Sequence, residues 1–307
     1  MASALLAASV AVGSVLGVPF FYLSPLPVMI AGIAFSPIAA IVSVATGGLA
    51  LLLAFGGTFL VTYLVGIGGP AFGLSYAAML ARSDPAGRDG LVWFPVGGLV
   101  LMAAGFATVS VIVALFAVAG TYEGYRTAVT AAFEALISAQ GLPPGAGVVE
   151  DPAAMGRLIA AILPAMAAVM TMVSQLVCLY LAGRAAMISG RFARPWPKLS
   201  AFRLPPATSL VLAVALALSM AGALLGLSAS AATATILAAY ALAGFAVVHA
   251  VTEGHSARTL ILSALWVTAM VLGWPVLAMA ALGFVDGVLD LRSRIARGNG
   301  PPAANDR

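Results

Sequence analysis

"PVMIAGIAFSPIAAIVSVATGGLALLLAFGGTFLVTYLVG", residues 27–66, contains no Asp, Glu, Lys, Arg or His. Nothing before it does either, and the first such residue in the chain is Arg82. A helix needs about 20 apolar residues to cross a hydrocarbon layer about 30 Å thick. The charge-free opening is therefore long enough for about four crossings. Further charge-free runs cover 90–122, 158–183, 204–248 and 259–285.

Composition agrees. The chain has 307 residues, of which 63% are hydrophobic and 8% charged, whereas a soluble domain carries about 25% charged residues. The mean hydropathy is +1.11. So few charges cannot cover a chain of this size in water, so most of its surface must face lipid. The expected fold is an all-α, polytopic transmembrane helix bundle of eight to ten membrane segments, forming one domain over 1–291 with a short basic tail at 292–307.

The net charge of +4 is modest and the basic residues are clustered. That pattern reads as membrane topology and argues against nucleic-acid binding. Cys178 is the only cysteine, so no intrachain disulfide can form. "MASALLAASVAVGSVLG" (1–17) lacks the positive start of a signal peptide and is followed by further apolar segments, so it reads as a retained first helix.

Punctuation then divides the chain. The first helix covers about 2–22, and "LSPLP" (23–27) interrupts it, because proline lacks a donor and constrains its predecessor. Helices follow at about 27–46, kinked at Pro37, and at about 49–65, separated by Gly47 and Gly48. "GIGGP" (66–70) is the next break, then a helix at 71–82 and a polar loop at 82–90. The fifth helix covers 91–119. An insertion at 120–152 contains an amphipathic stretch, 123–139, with Val129, Phe133, Leu136 and Ile137 on one face, a pattern suited to the membrane interface. Asp151 and Pro152 read as the N-cap and first turn of a helix reaching about 190, with Pro164 inside it. Two helices follow at about 205–226 and 230–252. The run 259–291 breaks near "GWP" (273–275); it is either one further crossing or, the preferred reading, a hairpin of two short helices.

Lys and Arg favour the cytoplasmic side. Segment 183–203 holds Arg184, Arg191, Arg194, Lys198 and Arg203, so it is expected inside. The 120–152 insertion carries Glu123, Glu134, Glu150 and Asp151 against Arg126 alone and is expected outside. Counting back places the N-terminus inside, and the hairpin returns the C-terminus to the same side. Arg292, Arg294 and Arg297 then read as a basic membrane boundary whose side chains reach for headgroups, with Asp290 able to pair with Arg294.

Chemistry-bearing residues are sparse. Asp286 lies one turn inside that boundary, where a carboxylate is costly unless paired or hydrated, so it is a candidate ligand contact. Ser174 and Gln175 fall in the middle of a long helix and are expected to face protein or a cavity. Broken helices can bind solutes through freed backbone groups, which makes the breaks at 23–27, 66–70 and 273–275 candidate transport features. His249, Glu253 and His255 do not supply the fixed spacing that zinc requires, and no metal or other cofactor is expected. "GIGGP" lacks the Lys-Ser/Thr of a nucleotide loop. Catalytic constellations are missing, so an enzyme is not expected. Small residues on the first helix, Ala4, Ala8, Ala11, Gly13 and Gly17, allow close helix approach, either within the chain or against a partner.

Two stretches carry a family likeness: "SPLPVMIAGIAFSPIAAIVSVATGGLALLLAFG" (24–56) and "LGFVDGVLDLRSR" (282–294). Together they resemble the YybS-like bacterial membrane proteins, a family of unknown function also described as domain of unknown function 2232. The resemblance implies a bacterial inner-membrane protein of about eight helices. More loosely, the chain is similar to the substrate-binding subunits of energy-coupling-factor vitamin transporters. That likeness implies that Ala4, Ala8 and Ala11 form a surface for another membrane protein, although the insertion at 120–152 departs from the compact pattern of those subunits. The expected role is transport-related binding of a small solute, either alone or as a subunit of a larger complex. The alternative is a non-transporting scaffold that recruits partners through the first helix or the basic 183–203 segment.

Overall fold

The computed structural model describes residues 1–12, 17–88, 90–139 and 151–298. Six of the described helical stretches are long and apolar enough to cross a membrane: Gly17–Ala34, Pro37–Phe55, Gly57–Ala78, Val96–Ala117, Ala153–Ile188 and Ala223–Val251. Four apolar helices are shorter. Large apolar side chains point outward along the bundle, with Leu53 79% and Met270 83% exposed. That is the surface expected where lipid takes the place of water.

The first expected crossing is instead a fold-back. Helix α1 (Ala2–Ala8) runs into a 3₁₀ turn at Ser9–Val12, and α2 (Gly17–Tyr22) returns beside it. Ser9 Oγ donates to the Gly17 carbonyl at 2.8 Å, and Ser3 Oγ donates to the Ser24 carbonyl at 2.7 Å. The apolar run was long enough for one straight helix, but its serines satisfy backbone carbonyls across the two arms. Leu23–Pro25 form a turn inside a span that continues through α3 (Leu26–Ala34).

The next boundaries also move. Ser36 caps α4 (Pro37–Phe55) by accepting from the Ala39 N–H at 3.1 Å, and Pro37 opens that helix rather than kinking one. The helix passes straight through Gly47 and Gly48, which make room for Tyr63 and Leu60 of the following helix. The break falls at Gly56, in a positive-φ conformation that suits glycine (φ 87°). Helix α5 (Gly57–Tyr63) then continues through a π-helical turn, Leu64–Gly68, into α6 (Gly69–Ala78). "GIGGP" therefore widens a crossing instead of ending it.

The polar loop expected at 82–90 is part of a small antiparallel hairpin, β1 (Ala81–Arg88) with β2 (Leu91–Trp93). Helix α7 (Val96–Ala119) follows Pro95. The amphipathic α8 (Tyr122–Ala139) docks on the start of α9 (Pro152–Ile188). Tyr125 is buried there and its hydroxyl donates to the Ala160 carbonyl at 3.0 Å. Asp151 caps α9 as its sequence suggests, accepting from the Ala154 N–H at 2.9 Å. The 37-residue α9 runs through Pro164 unbroken and spans roughly 55 Å.

Helices α10 (Thr208–Ser219) and α11 (Ala223–Val251) are joined at Gly222 (φ 73°). The core lies where α3, α6, α7, α9 and α11 meet, around Met29, Leu74, Ala103, Met172 and Ala243. Many of these positions are alanine, which lets helix backbones approach closely when packing rather than water expulsion drives association. Thr108 and Thr235 link α7 to α11 at 3.0 Å.

The run 259–291 is two helices, α12 (Arg258–Leu272) and α13 (Pro275–Leu289), separated at Gly273–Trp274. Helix α13 makes the most extensive interface in the bundle, against α11. Gly244 and Gly283 sit at its centre. A Cβ at Gly244 would overlap the Met279 carbonyl, and one at Gly283 would overlap the Tyr240 carbonyl. Beyond Asp290, the segment Leu291–Gly298 forms helix α14, within the stretch expected as a basic tail.

Candidate functional site

A cavity of about 710 Å³ opens between the α2–α3 turn, α5 with its π turn, α7 and α9. Its size suits a small organic molecule. Phe21, Val61, Val113 and Ala167 supply apolar wall, and Thr58, Thr62, Ser110, Thr171, Ser174 and Gln175 supply polar groups. None of its lining residues among those described is charged.

Two expected helix breaks meet here, and backbone chemistry explains both. At the first, the Leu26 N–H donates to the Leu23 carbonyl, leaving the Tyr22 carbonyl without its usual helical donor. Ser174 Oγ donates to that carbonyl, and Cys178 Sγ lies 3.5 Å from it. At the second, Gly69 N–H bonds to the Leu64 carbonyl, and Pro70 has no N–H to offer. The Val65 carbonyl is left over, and Ser110 Oγ donates to it at 3.0 Å. Side chains from α9 and α7 thus stabilise two irregular backbone turns at one cavity. Ser110 was not singled out from the sequence. Proline at 70 was the available signal, since it removes the donor on which a carbonyl five residues earlier would rely in a π turn.

Gln175 is different. It is fully buried on the cavity wall, and neither its amide oxygen nor its nitrogen has a hydrogen-bond partner among the described residues. Leaving a buried amide unpaired costs about 1–3 kcal/mol. The other buried unpaired side-chain atoms among the described residues belong to Thr208, Ser228 and His249, none of which lines this cavity.

The remaining sequence candidates are placed elsewhere. Asp286 does not line the cavity, and its carboxylate is engaged by Arg292. Arg292 is therefore not reaching outward, as a residue at a basic boundary would: it is 9% exposed, with Nη1 donating to the Ser200 carbonyl at 2.9 Å. Asp290 pairs with Arg203 at 2.6 Å, so its expected partner Arg294 is displaced. Ala4 is buried against Leu51, Tyr63 and Ile67, with Ala8 packed beside it. Gly17 lies against Ser9, whereas Ala11 is exposed. Gly13 lies outside the described residues. The Gly273–Pro275 break does not reach the cavity. Among the described residues no group of three or more His, Cys, Asp or Glu side chains is placed to hold a metal ion.

Comparison with known proteins places these features in a family. Residues 1–287 match DUF2232, described as a predicted membrane protein. The chain belongs to this family. It is a multi-pass membrane protein by its helices as well as by this match. No curated protein and no solved structure matches it.

Proposed function

We propose that this DUF2232 protein binds a small, uncharged, partly apolar solute in the cavity beside α9, as part of a transport-related process. The observation that carries the reading is the unpaired Gln175 amide on the cavity wall. A carboxamide offers two donors and an acceptor, which a solute bearing an adjacent acceptor and donor would satisfy. A charged solute fits poorly, because none of the described lining residues compensates its charge. The two irregular turns add to the reading, since unwound helix segments are where transporters place their solutes.

The arrangement also supports an orientation with the basic 183–203 segment in the cytoplasm. Arg203 holds Asp290, and Arg292 holds the Ser200 carbonyl, so the α13–α14 junction returns to that same end of the bundle. Because the first arm folds back, a cytoplasmic N-terminus no longer follows from counting crossings. Reporter fusions at positions 195 and 295 should read alike.

The test is a thermal-shift screen of the detergent-purified chain against neutral metabolites. A solute that binds the native state raises the melting temperature in proportion to its saturation. The expected result is a stabilising compound whose effect disappears in Gln175→Leu. If no neutral compound shifts melting while a second membrane protein co-purifies at fixed stoichiometry, the scaffold reading replaces this one.

A further inference from the structure

A second, smaller pocket of about 180 Å³ lies at the basic end of the bundle, and its chemistry differs from the cavity above. Its wall is apolar, formed by Val100, Leu176 and Leu179, with Tyr180 and Trp196 at the side. Among the described residues one cation lines it, Arg194. We propose that this pocket binds an anionic amphiphile, with an acidic head on the Arg194 guanidinium and an acyl chain along the apolar wall.

Arg194 carries the argument. It is 9% exposed, yet among the described residues its one hydrogen bond is from Nη1 to the Ala78 carbonyl at 3.0 Å. No carboxylate pairs with it among the described residues, whereas the equally buried Arg292 has Asp286. A guanidinium has five N–H donors, and a buried one needs a counter-charge. Burial also pulls its pKa below the ordinary arginine value.

Position selects the ligand. Ile33, Ala78 and Val96, which also line the pocket, lie at the last or first turns of α3, α6 and α7. Such a level, where crossings end, is where a lipid's head meets its chain. Arg184 stacks over Trp196 at 5.6 Å and Arg191 over Phe35 at 4.5 Å, so two further cations border the same region. Phosphate and carboxylate heads share the needed charge. A zwitterionic head brings its own cation and gains less.

The full-length chain, purified in a neutral detergent, is analysed by native mass spectrometry with phosphatidylglycerol, oleate or phosphatidylcholine at equal concentration. Phosphatidylglycerol or oleate should be retained about five-fold more than phosphatidylcholine, the effect of one added charge interaction. Whichever anion is retained more identifies the source as phospholipid or free acyl anion. Arg194→Gln should remove this preference, while Lys198→Gln, at an exposed position of the same segment, should leave it within about two-fold. Leu179→Trp fills the pocket and keeps the arginine, so it reports even if Arg194→Gln does not fold. Its loss of retention supports the site. Equal retention of all three lipids, unchanged retention in both pocket variants, or an equal loss in Lys198→Gln overturns it.

Discussion

Arg292 grips Asp286 from within the same stretch of chain. Its Nε and Nη2 donate to one carboxylate oxygen at 3.0 and 2.7 Å, and its backbone N–H donates to the other at 3.2 Å. The turn that makes this possible is Asp290, in the left-handed conformation (φ 49°), which ends α13 and folds the following residues back on it. Both side chains are buried.

Removing one member of a buried ion pair leaves the other uncompensated, at a cost of about 3–5 kcal/mol. Asp286→Asn and Arg292→Gln should each lower the detergent melting temperature sharply. The double variant should cost less than the sum of the two, as scored by a double-mutant cycle. Additive losses would show that the pair is not coupled.

The α11–α13 contact depends on two absent side chains. Gly244→Leu should strip α13 from the bundle, because the new atoms meet backbone that cannot yield, costing about 1–3 kcal/mol or more. Gly105→Ala is the contrast. A Cβ there meets nothing within 4 Å, so the better helix former should be neutral or gain up to about 1 kcal/mol. Limited proteolysis around 273–290 distinguishes loss of docking from general unfolding.

Gln175→Leu has an effect apart from any ligand. It removes an unpaired buried amide at similar volume, so unliganded stability should rise by about 1–2 kcal/mol. A fall in melting temperature would mean that the amide already has a partner.

Alkaline pH should loosen α8. Burial raises the Tyr125 pKa from 10.0 to about 12. The folded state therefore holds the phenol proton more tightly than the unfolded chain does. That contribution is complete below pH 10 and is lost as pH climbs through the folded value. Tyr125→Phe should flatten the decline of stability between about pH 10 and pH 12, measured by chemical denaturation.

The membrane class was legible because the signal is long: 81 residues without a formal charge admit few alternatives. The cap at Asp151 was legible because it is local. Helix boundaries near glycine were not. Gly47 and Gly48 look like punctuation in sequence, yet they are contact sites for Tyr63 and Leu60, and only the neighbouring helix distinguishes the two uses. Ser174 and Gln175 were visible as polar groups in an apolar run, but nothing local reveals that one is bonded to Tyr22 and the other to none of the described residues. Asp286 showed the same limit, since its partner lies past a turn whose left-handed residue is not glycine.

The links from Arg203 to Ser293 and from Arg292 to Ser200 join residues about ninety positions apart. During synthesis, the loop carrying Ser200 and Arg203 leaves the ribosome well before the residues that fasten it. A nascent chain halted after α11 would thus carry that loop without either of these two latches.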